Sequence, residues 1–119
     1  MLIYKEFKFD SAHNLISYKG KCERLHGHTY KMRVTLKGEP DSEGMIMDFL
    51  DIKKIVNEHV IAKLDHNYIN DIISQPTAEN IALWSWRELE NNLRRDNCEL
   101  YEIRIWETED SCVILSAEK

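Results

Sequence analysis

The stretch of sequence that decides the fold is HTYKMRVTLK, at residues 28–37. From Tyr30 onward every second residue is apolar, and the side chains between them are charged or hydroxylated. A period of two places alternate side chains on opposite faces of a β-strand. The apolar set is Tyr30, Met32, Val34 and Leu36, and the polar set is Lys31, Arg33, Thr35 and Lys37. This pattern predicts a strand of an antiparallel sheet with one face buried and the other exposed to water.

Further strands are predicted on both sides of this one. Residues 3–10 alternate in the same way, so the first strand is expected to end at Asp10. Near the other end of the chain, strands are predicted over residues 99–108 and 111–117, joined at Glu109-Asp110. The predicted buried face of the 99–108 strand carries Tyr101, Ile103 and Ile105.

Amphipathic helices are predicted between the two pairs of strands. The first covers about residues 49–63 and follows Asp48, a residue type that caps helix N-termini. The second begins after Thr77, again a capping residue, and frays near residues 96–97. The order of elements is therefore ββααββ within a single domain, residues 1–119. We expect an α+β fold, in which both helices cover one face of a four-stranded antiparallel sheet.

Composition and charge exclude several classes of function. The 119 residues contain 16 basic and 21 acidic side chains, a formal net charge of −5, with no long block of like charge. A nucleic acid is therefore not an expected partner. No apolar run approaches the roughly 20 residues that cross a membrane, so no membrane partner is expected either. The cysteines include no Cys-x-x-Cys pair and the N-terminus lacks signal-peptide features, so we expect a cytoplasmic protein with free thiols.

The candidate metal ligands are histidines around the start of the second predicted strand. His26 and His28 are two residues apart, and on a strand they would share one face at a separation of ~6.6 Å. His13 follows the first strand, in the phase of its apolar residues. Three neutral imidazoles with a fourth position open are the usual composition of a catalytic zinc site. The alternative is that each histidine is a hydrogen-bonded core residue, because buried polar groups are nearly always hydrogen-bonded.

Other polar residues are also candidates for chemistry. Cys22 lies among basic neighbours, which favours a reactive thiol, although a free cysteine is more often a small buried hydrophobe. Asp65-His66 is either an orienting carboxylate with a general acid or base, or simply a helix terminus. Glu107 continues the apolar phase of its strand, which favours a polar group in a pocket over a strand end facing water. Cys98 and Cys112 are expected to pack in the interior.

A series of motifs along nearly the whole chain carries a resemblance. They are Phe9-Asp10-Ser11-Ala12-His13, Cys22-x-x-x-His26-Gly27-His28, Met47-Asp48-Phe49, Leu64-Asp65-His66, Pro76-Thr77-Ala78-Glu79-Asn80 and Trp106-Glu107-Thr108. In this order they resemble the 6-pyruvoyltetrahydropterin synthase superfamily, most closely its bacterial 6-carboxytetrahydropterin synthase branch of queuosine biosynthesis. The resemblance implies the T-fold (tunnelling fold), in which the sheets of a homotrimer join into a barrel and two trimers usually stack into a hexamer. It also implies active sites formed between subunits.

The resemblance further implies a role for each candidate residue. The zinc ligands of the family correspond to His13, His26 and His28. Its catalytic thiol corresponds to Cys22, and Asp65 and His66 correspond to the rest of a catalytic triad, which family structures take from a neighbouring subunit. The carboxylate that anchors the pterin ring corresponds to Glu107, and further ring contacts correspond to Thr77 and Glu79.

The activity implied is that of a zinc-dependent carbon–carbon lyase. Its substrate would be 7,8-dihydroneopterin triphosphate, and its products 6-carboxy-5,6,7,8-tetrahydropterin, acetaldehyde and triphosphate. Glu23 also matches a sister branch, in which a glutamate replaces the thiol and the product is 6-hydroxymethyl-7,8-dihydropterin for folate synthesis. That activity, alone or in addition, is the first alternative; otherwise Glu23 is a loop carboxylate facing water. The second alternative is a zinc-binding structural module without turnover.

Overall fold

The computed structural model describes residues 1–13 and 26–117, with the backbone alone at His13 and His26. One antiparallel sheet runs through it in the strand order β1-β2-β3-β4. The strands are β1 (Leu2–His13), β2 (His26–Gly38), β3 (Cys98–Thr108) and β4 (Ser111–Ser116). The predicted four-stranded antiparallel sheet is therefore confirmed.

The helical elements lie between β2 and β3, as the sequence predicts. They are α1 (Phe49–Val56), a π-helical segment (Asn57–Ile61), α2 (Ala62–Leu64), a 3₁₀ turn (Ile69–Asp71) and α3 (Ala78–Leu89). Both predicted N-caps are confirmed. The Asp48 carboxylate accepts the Leu50 N–H at 2.8 Å, and the Thr77 hydroxyl oxygen accepts the Asn80 N–H at 3.1 Å. No helix in the described part of the chain is long and apolar enough to cross a membrane.

The π-helical segment interrupts what the sequence predicts as one regular helix. The fully buried residues of this stretch are Ile52, Val56, Val60 and Leu64, each four positions after the last. A step of four exceeds the 3.6-residue turn and would rotate the apolar stripe by ~40° at each step. A π-helical turn is wider, because its hydrogen bonds span five residues. The segment therefore keeps the stripe on the core over its whole length.

The hydrophobic core lies between the helices and one face of the sheet. Tyr30, Met32, Val34 and Leu36 are all completely buried there, as the alternation of β2 predicts. The opposite face is not covered by any helix of the described chain. On it the Arg33 guanidinium lies 4.1 Å from the ring centre of Tyr4 and 2.9 Å from Glu6, and the Lys31 ammonium lies 4.3 Å from the ring centre of Trp106.

The interior of β3 departs from the predicted alternation. The register against β2 shifts between Thr35, which faces Glu102, and Leu36, which faces Leu100. Tyr101 is thus the extra residue of a β-bulge, and Leu100 takes the buried position at 3% exposure. Placing Tyr101 in the core was wrong for this reason.

Of the two cysteine predictions, one is confirmed and the other is wrong. Cys98 is buried, as expected, but Cys112 is exposed because it lies opposite Trp106 on the uncovered face.

Some element ends also differ from the sequence-based boundaries. β1 continues beyond Asp10 to His13, because its last residues pair with β2 on one side and with residues 66–68 on the other. The second long helix ends at Leu89 rather than near residues 96–97. Leu93 is nevertheless fully buried, held by a hydrogen bond from its N–H to the Leu89 carbonyl at 2.9 Å.

Candidate active site

An open cleft of about 560 Å³ lies where β1 and β2 approach the loop after α2. Its described lining comes from the end of β1 (residues 10–12), the start of β2 (residues 27–29) and the loop residues 66–68. His28 and His66 both line it. A single chain therefore brings a predicted metal ligand and a predicted acid–base residue to one cleft. The contribution of Asp65 and His66 by a neighbouring subunit stays a prediction.

The three predicted zinc-ligand positions lie on paired strands at one end of this cleft. β2 begins at His26, and the register places His13 directly opposite His26. His28 lies two residues further along β2, opposite Ser11. Directly opposite residues are ~4.5–5.5 Å apart and diagonal ones ~7–8 Å, distances that three imidazoles can span to reach one ion. The backbone geometry and the donor set thus fit a zinc ion.

His28 contacts the predicted pterin anchor. Its side chain is 21% exposed, and its Nε2 lies 3.6 Å from a carboxylate oxygen of Glu107. The second bulge of β3 explains this approach, because the register between β3 and β4 skips from Trp106 to Thr108 and leaves Glu107 as the extra residue. Bulges re-aim side chains in this way and are over-represented beside active sites. Burial raises the pKa of the neighbouring Tyr30, and the Glu107 charge raises it further.

Asp65 and His66 form a hydrogen-bonded pair. The Nδ1 of His66 lies 3.0 Å from one carboxylate oxygen of Asp65, and the other oxygen accepts the Asp10 N–H at 2.9 Å. The pKa of Asp65 is lowered, chiefly by the Asp10 N–H; burial opposes this shift, and the hydrogen bond and charge of His66 lower the pKa further. The His66 side chain is 79% exposed, so its Nε2 is accessible to a molecule in the cleft. An Asp–His pair of this kind can orient an imidazole for proton transfer.

Strand β1 holds this pair in place through its backbone. The His66 N–H donates to the Asp10 carbonyl at 2.6 Å, and the Ala12 N–H donates to the Asn67 carbonyl at 3.3 Å. The Ser11 hydroxyl also donates to the Leu64 carbonyl. His66 has a φ of 58°, a left-handed conformation that non-glycine residues rarely adopt. Such strained residues persist where surrounding contacts determine them, and they cluster at functional sites.

Asp10 is the residue of this site that the sequence did not single out. Its carboxylate lies within 4.8 Å of both the Asp65 carboxylate and a His66 ring nitrogen. Among the side chains that the structure describes, these three are the group able to hold a metal ion. The polar phase of Asp10 on β1 predicted only an exposed residue, and its place in the Phe9–His13 motif was the available signal.

The remaining predicted site residues lie elsewhere or outside the described part. Thr77 caps α3, and Glu79 is exposed in its first turn. Neither is among the described residues that line the cleft. Cys22 and Glu23 lie outside the described residues, so their roles stay predictions.

The family model for 6-pyruvoyl tetrahydropterin synthase matches residues 2–118. The chain therefore belongs to the 6-pyruvoyl tetrahydropterin synthase family, as its motifs indicated. It is also similar to the solved structure of the Caenorhabditis elegans 6-pyruvoyl tetrahydropterin synthase, with a TM-score of 0.82 and 26% identity over 99% of this chain and 96% of that one. This likeness confirms the T-fold of the subunit.

Two relatives differ in the activity that their names state. The 6-carboxy-5,6,7,8-tetrahydropterin synthase of Synechocystis sp. is 44% identical over 96 residues, which cover 75% of this chain and 74% of that one. The dihydroneopterin monophosphate aldolase of Pyrococcus furiosus is 41% identical over 106 residues, covering 89% of this chain and 88% of that one.

Proposed function

We propose that this chain is a 6-carboxy-5,6,7,8-tetrahydropterin synthase of queuosine biosynthesis. It would convert 7,8-dihydroneopterin triphosphate to 6-carboxytetrahydropterin, acetaldehyde and triphosphate. The observation that carries the proposal is the cleft lined by His66, which is bonded to Asp65, beside the paired strands of the three histidines. The 44% identity to a relative of that name supports the choice of product.

We assign the metal site to His13, His26 and His28. Three neutral imidazoles would bind zinc and leave a position for the side-chain oxygens of the substrate. When bound, zinc supplies Lewis-acid polarisation of those oxygens. The neighbouring Glu107 carboxylate would accept hydrogen bonds from an N–C–NH₂ edge of the pterin ring, because a carboxylate offers two acceptor oxygens to such an edge. Further ring contacts from Thr77 and Glu79 would require a neighbouring subunit.

Proton transfer falls to Cys22, His66 and Asp65. Asp65 accepts a hydrogen bond from the Nδ1–H of His66 at 3.0 Å, which leaves Nε2 of the neutral imidazole as a proton acceptor. His66 would exchange protons through this nitrogen with the cleft. Cys22, as a thiolate, would remove a proton from the substrate side chain, and His66 would relay it.

The subunits are proposed to assemble through the two edges of the sheet. β1 and β4 are the edge strands of the described sheet, and unpaired edges invite association unless they are covered. Large apolar side chains are exposed beside both edges: Leu2 at 51%, Tyr4 at 51% and Ile114 at 54%. Pairing of β1 with β4 of the next chain would close a trimer, and two trimers would form a hexamer. The cytoplasmic location stays a prediction.

A second candidate activity is the aldolase reaction of the folate-type branch. The 41% identity to the P. furiosus dihydroneopterin monophosphate aldolase favours it, together with Glu23 beside Cys22. In that reaction Glu23 rather than Cys22 would move the proton. Both activities in one chain would use the same metal site and the same Asp65–His66 pair.

The test is to incubate the zinc-loaded protein with 7,8-dihydroneopterin triphosphate and to identify the pterin product by mass. We expect 6-carboxytetrahydropterin, lost in a Cys22→Ala variant and retained in Glu23→Ala. Formation of 6-hydroxymethyl-7,8-dihydropterin alone, lost in Glu23→Ala, would establish the second candidate instead. The absence of any product from zinc-loaded protein would refute the first candidate, and the second as a reaction of the triphosphate.

A further inference from the structure

Asp10 uses all of its hydrogen-bonding groups around the Asp65–His66 pair. Its N–H donates to the Asp65 carboxylate at 2.9 Å, and its carbonyl accepts the His66 N–H at 2.6 Å. Its own carboxylate accepts a hydrogen bond from the Thr29 hydroxyl at 2.5 Å. Asp10 and Thr29 are also directly opposite in the register of β1 and β2. One residue thus connects β2, β1 and the loop that carries His66.

We propose that Asp10 is a positioning residue, and that its carboxylate bond to Thr29 sets the orientation of His66. The inference rests on the proposed function for its kinetic part only. The Thr29 hydroxyl fixes the side chain of Asp10, and through it the peptide group that holds Asp65 and His66. Asp10 lines the cleft, but the role proposed for it runs through Asp65 and His66, the two residues that its peptide group holds.

The exposure and backbone conformation of His66 explain why the Asp10–Thr29 bond is needed. The imidazole is 79% exposed, so packing does not fix it, and its left-handed φ is not a conformation that the loop favours by itself. Its orientation therefore depends on the bonds to Asp65 and Asp10. β1 is an edge strand, which receives a continuous ladder only from β2. A side-chain bond across that ladder stiffens the strand where it holds the loop.

Thr29 also adjoins His28 in sequence, so the Asp10–Thr29 bond lies next to the predicted metal site. The Asp10–Thr29 bond spans the same two strands that pair His13 with His26. The Asp10–Thr29 pair lies three residue pairs from the His13–His26 pair along the ladder, with Ser11–His28 and Ala12–Gly27 between them. A slip of β1 against β2 would therefore move the acid–base pair relative to the ligand positions. Misplacements of about 1 Å can cost on the order of 10²-fold in rate.

Four variants distinguish an effect of Asp10 on the position of His66 from an effect of its negative charge. Thr29→Val removes the hydroxyl at nearly constant shape, and Asp10→Ala removes the carboxylate. Asp10→Asn keeps an oxygen that can accept the Thr29 hydroxyl but removes the charge. Thr35→Val is the control, because it makes the same change further along β2, away from the cleft, although Thr35 is buried and Thr29 is exposed. We expect Thr29→Val and Asp10→Ala to lower kcat by about 10- to 100-fold, whereas Asp10→Asn restores most of the lost turnover.

A second readout does not depend on turnover. The ¹⁵N chemical shifts of the His66 ring, assigned with a His66→Gln variant, report which nitrogen carries the proton. We expect Nδ1 to be protonated in the neutral imidazole of the wild type, because it faces Asp65, and a tautomer mixture in Thr29→Val and Asp10→Ala. Thr35→Val should leave the spectrum unchanged.

Several outcomes would overturn the proposal. An unchanged His66 tautomer in Thr29→Val is one of them, and an equal effect of Thr35→Val is another. A loss of turnover in Asp10→Asn as large as in Asp10→Ala would show that charge acts rather than position. If the wild type forms no pterin product, the proposed function fails, and the ring spectra still decide the role of Asp10.

Discussion

Replacement of Asp65 by asparagine tests the acid–base pair most directly. Asparagine is nearly isosteric, so its oxygen can keep the bond from the Asp10 N–H at 2.9 Å. Its amide nitrogen then takes the position of the oxygen that lies 3.0 Å from the His66 Nδ1. An amide N–H is a donor, so the Nδ1 of His66 must become the acceptor and the proton moves to Nε2. The neutral imidazole would then present a donor to the cleft where the reaction needs an acceptor.

The structure bounds the size of this effect. Asp65 is 34% exposed, so the loss of its bond with His66 should change the free energy of unfolding by less than about 1 kcal/mol. General acid–base catalysis is worth 10²–10⁴-fold, and the variant removes the tautomer on which it depends. We expect kcat to fall by about 10²-fold, equivalent to roughly 2.7 kcal/mol in the activation barrier. KM should change little, because Asp65 does not line the cleft.

The assay is steady-state formation of the pterin product, followed by mass, alongside urea unfolding. Asp71→Asn is the matched control, because Asp71 is an exposed acid at the end of the adjacent 3₁₀ turn. It should match the wild type in both measurements. An unchanged kcat in Asp65→Asn, or a loss of kcat fully explained by unfolding, would refute the role given to the pair.

Other properties of the fold and site are equally testable. Ser85→Ala should stabilise the protein by about 1 kcal/mol in urea unfolding, since the fully buried Ser85 hydroxyl has no hydrogen-bond partner in the described structure. The lowered pKa of Asp65 stabilises the folded state above its ordinary pKa. The stability difference between wild type and Asp65→Asn, measured by urea unfolding, should therefore hold above about pH 5 and vanish as the pH falls through the lowered value. Chelation should abolish turnover while the far-ultraviolet circular dichroism stays unchanged. Ile114→Lys should shift the oligomer toward monomer in light scattering, because it places a charge beside the β4 edge.

Each of these expectations has an outcome that contradicts it. Ser74→Ala, at an exposed serine, is the control for Ser85→Ala and should be nearly neutral. Equal stabilisation by both would show that burial is not the cause. Unfolding on chelation would favour the structural-module alternative. A monomeric wild type at working concentration would contradict assembly through the sheet edges.

The strands were predictable because alternation is a local property. β2 buries the four residues that its period of two selects, and both N-caps lie where their residue types predict. The bulges at Tyr101 and Glu107 were not predictable in the same way. Glu107 stood out as a polar residue in the apolar phase, but the partner strand decides whether such a residue is an inserted one.

The candidate site was predictable in its residue types and less so in its connections. His66 and His28 reach one cleft and Asp65 is bonded to His66, but the sequence does not show that Asp10 joins them. Two of the three bonds of Asp10 use its peptide group, which every residue carries. Only the folded backbone reveals where those bonds go.

The π-helical segment at residues 57–61 sets the rotation of the following residues about the helix axis. Each residue of a helix turns the chain by ~100° and advances it by ~1.5 Å. Removal of one residue here would allow regular α-helical bonding, and local helical stability should rise. It would also turn Asp65 through that angle about the helix axis, away from the Asp10 N–H. The π-helical turn thus fixes the rotation of Asp65 about the helix axis. A regular α-helix in this position would be more stable, but it would lose the bond that holds Asp65 to Asp10.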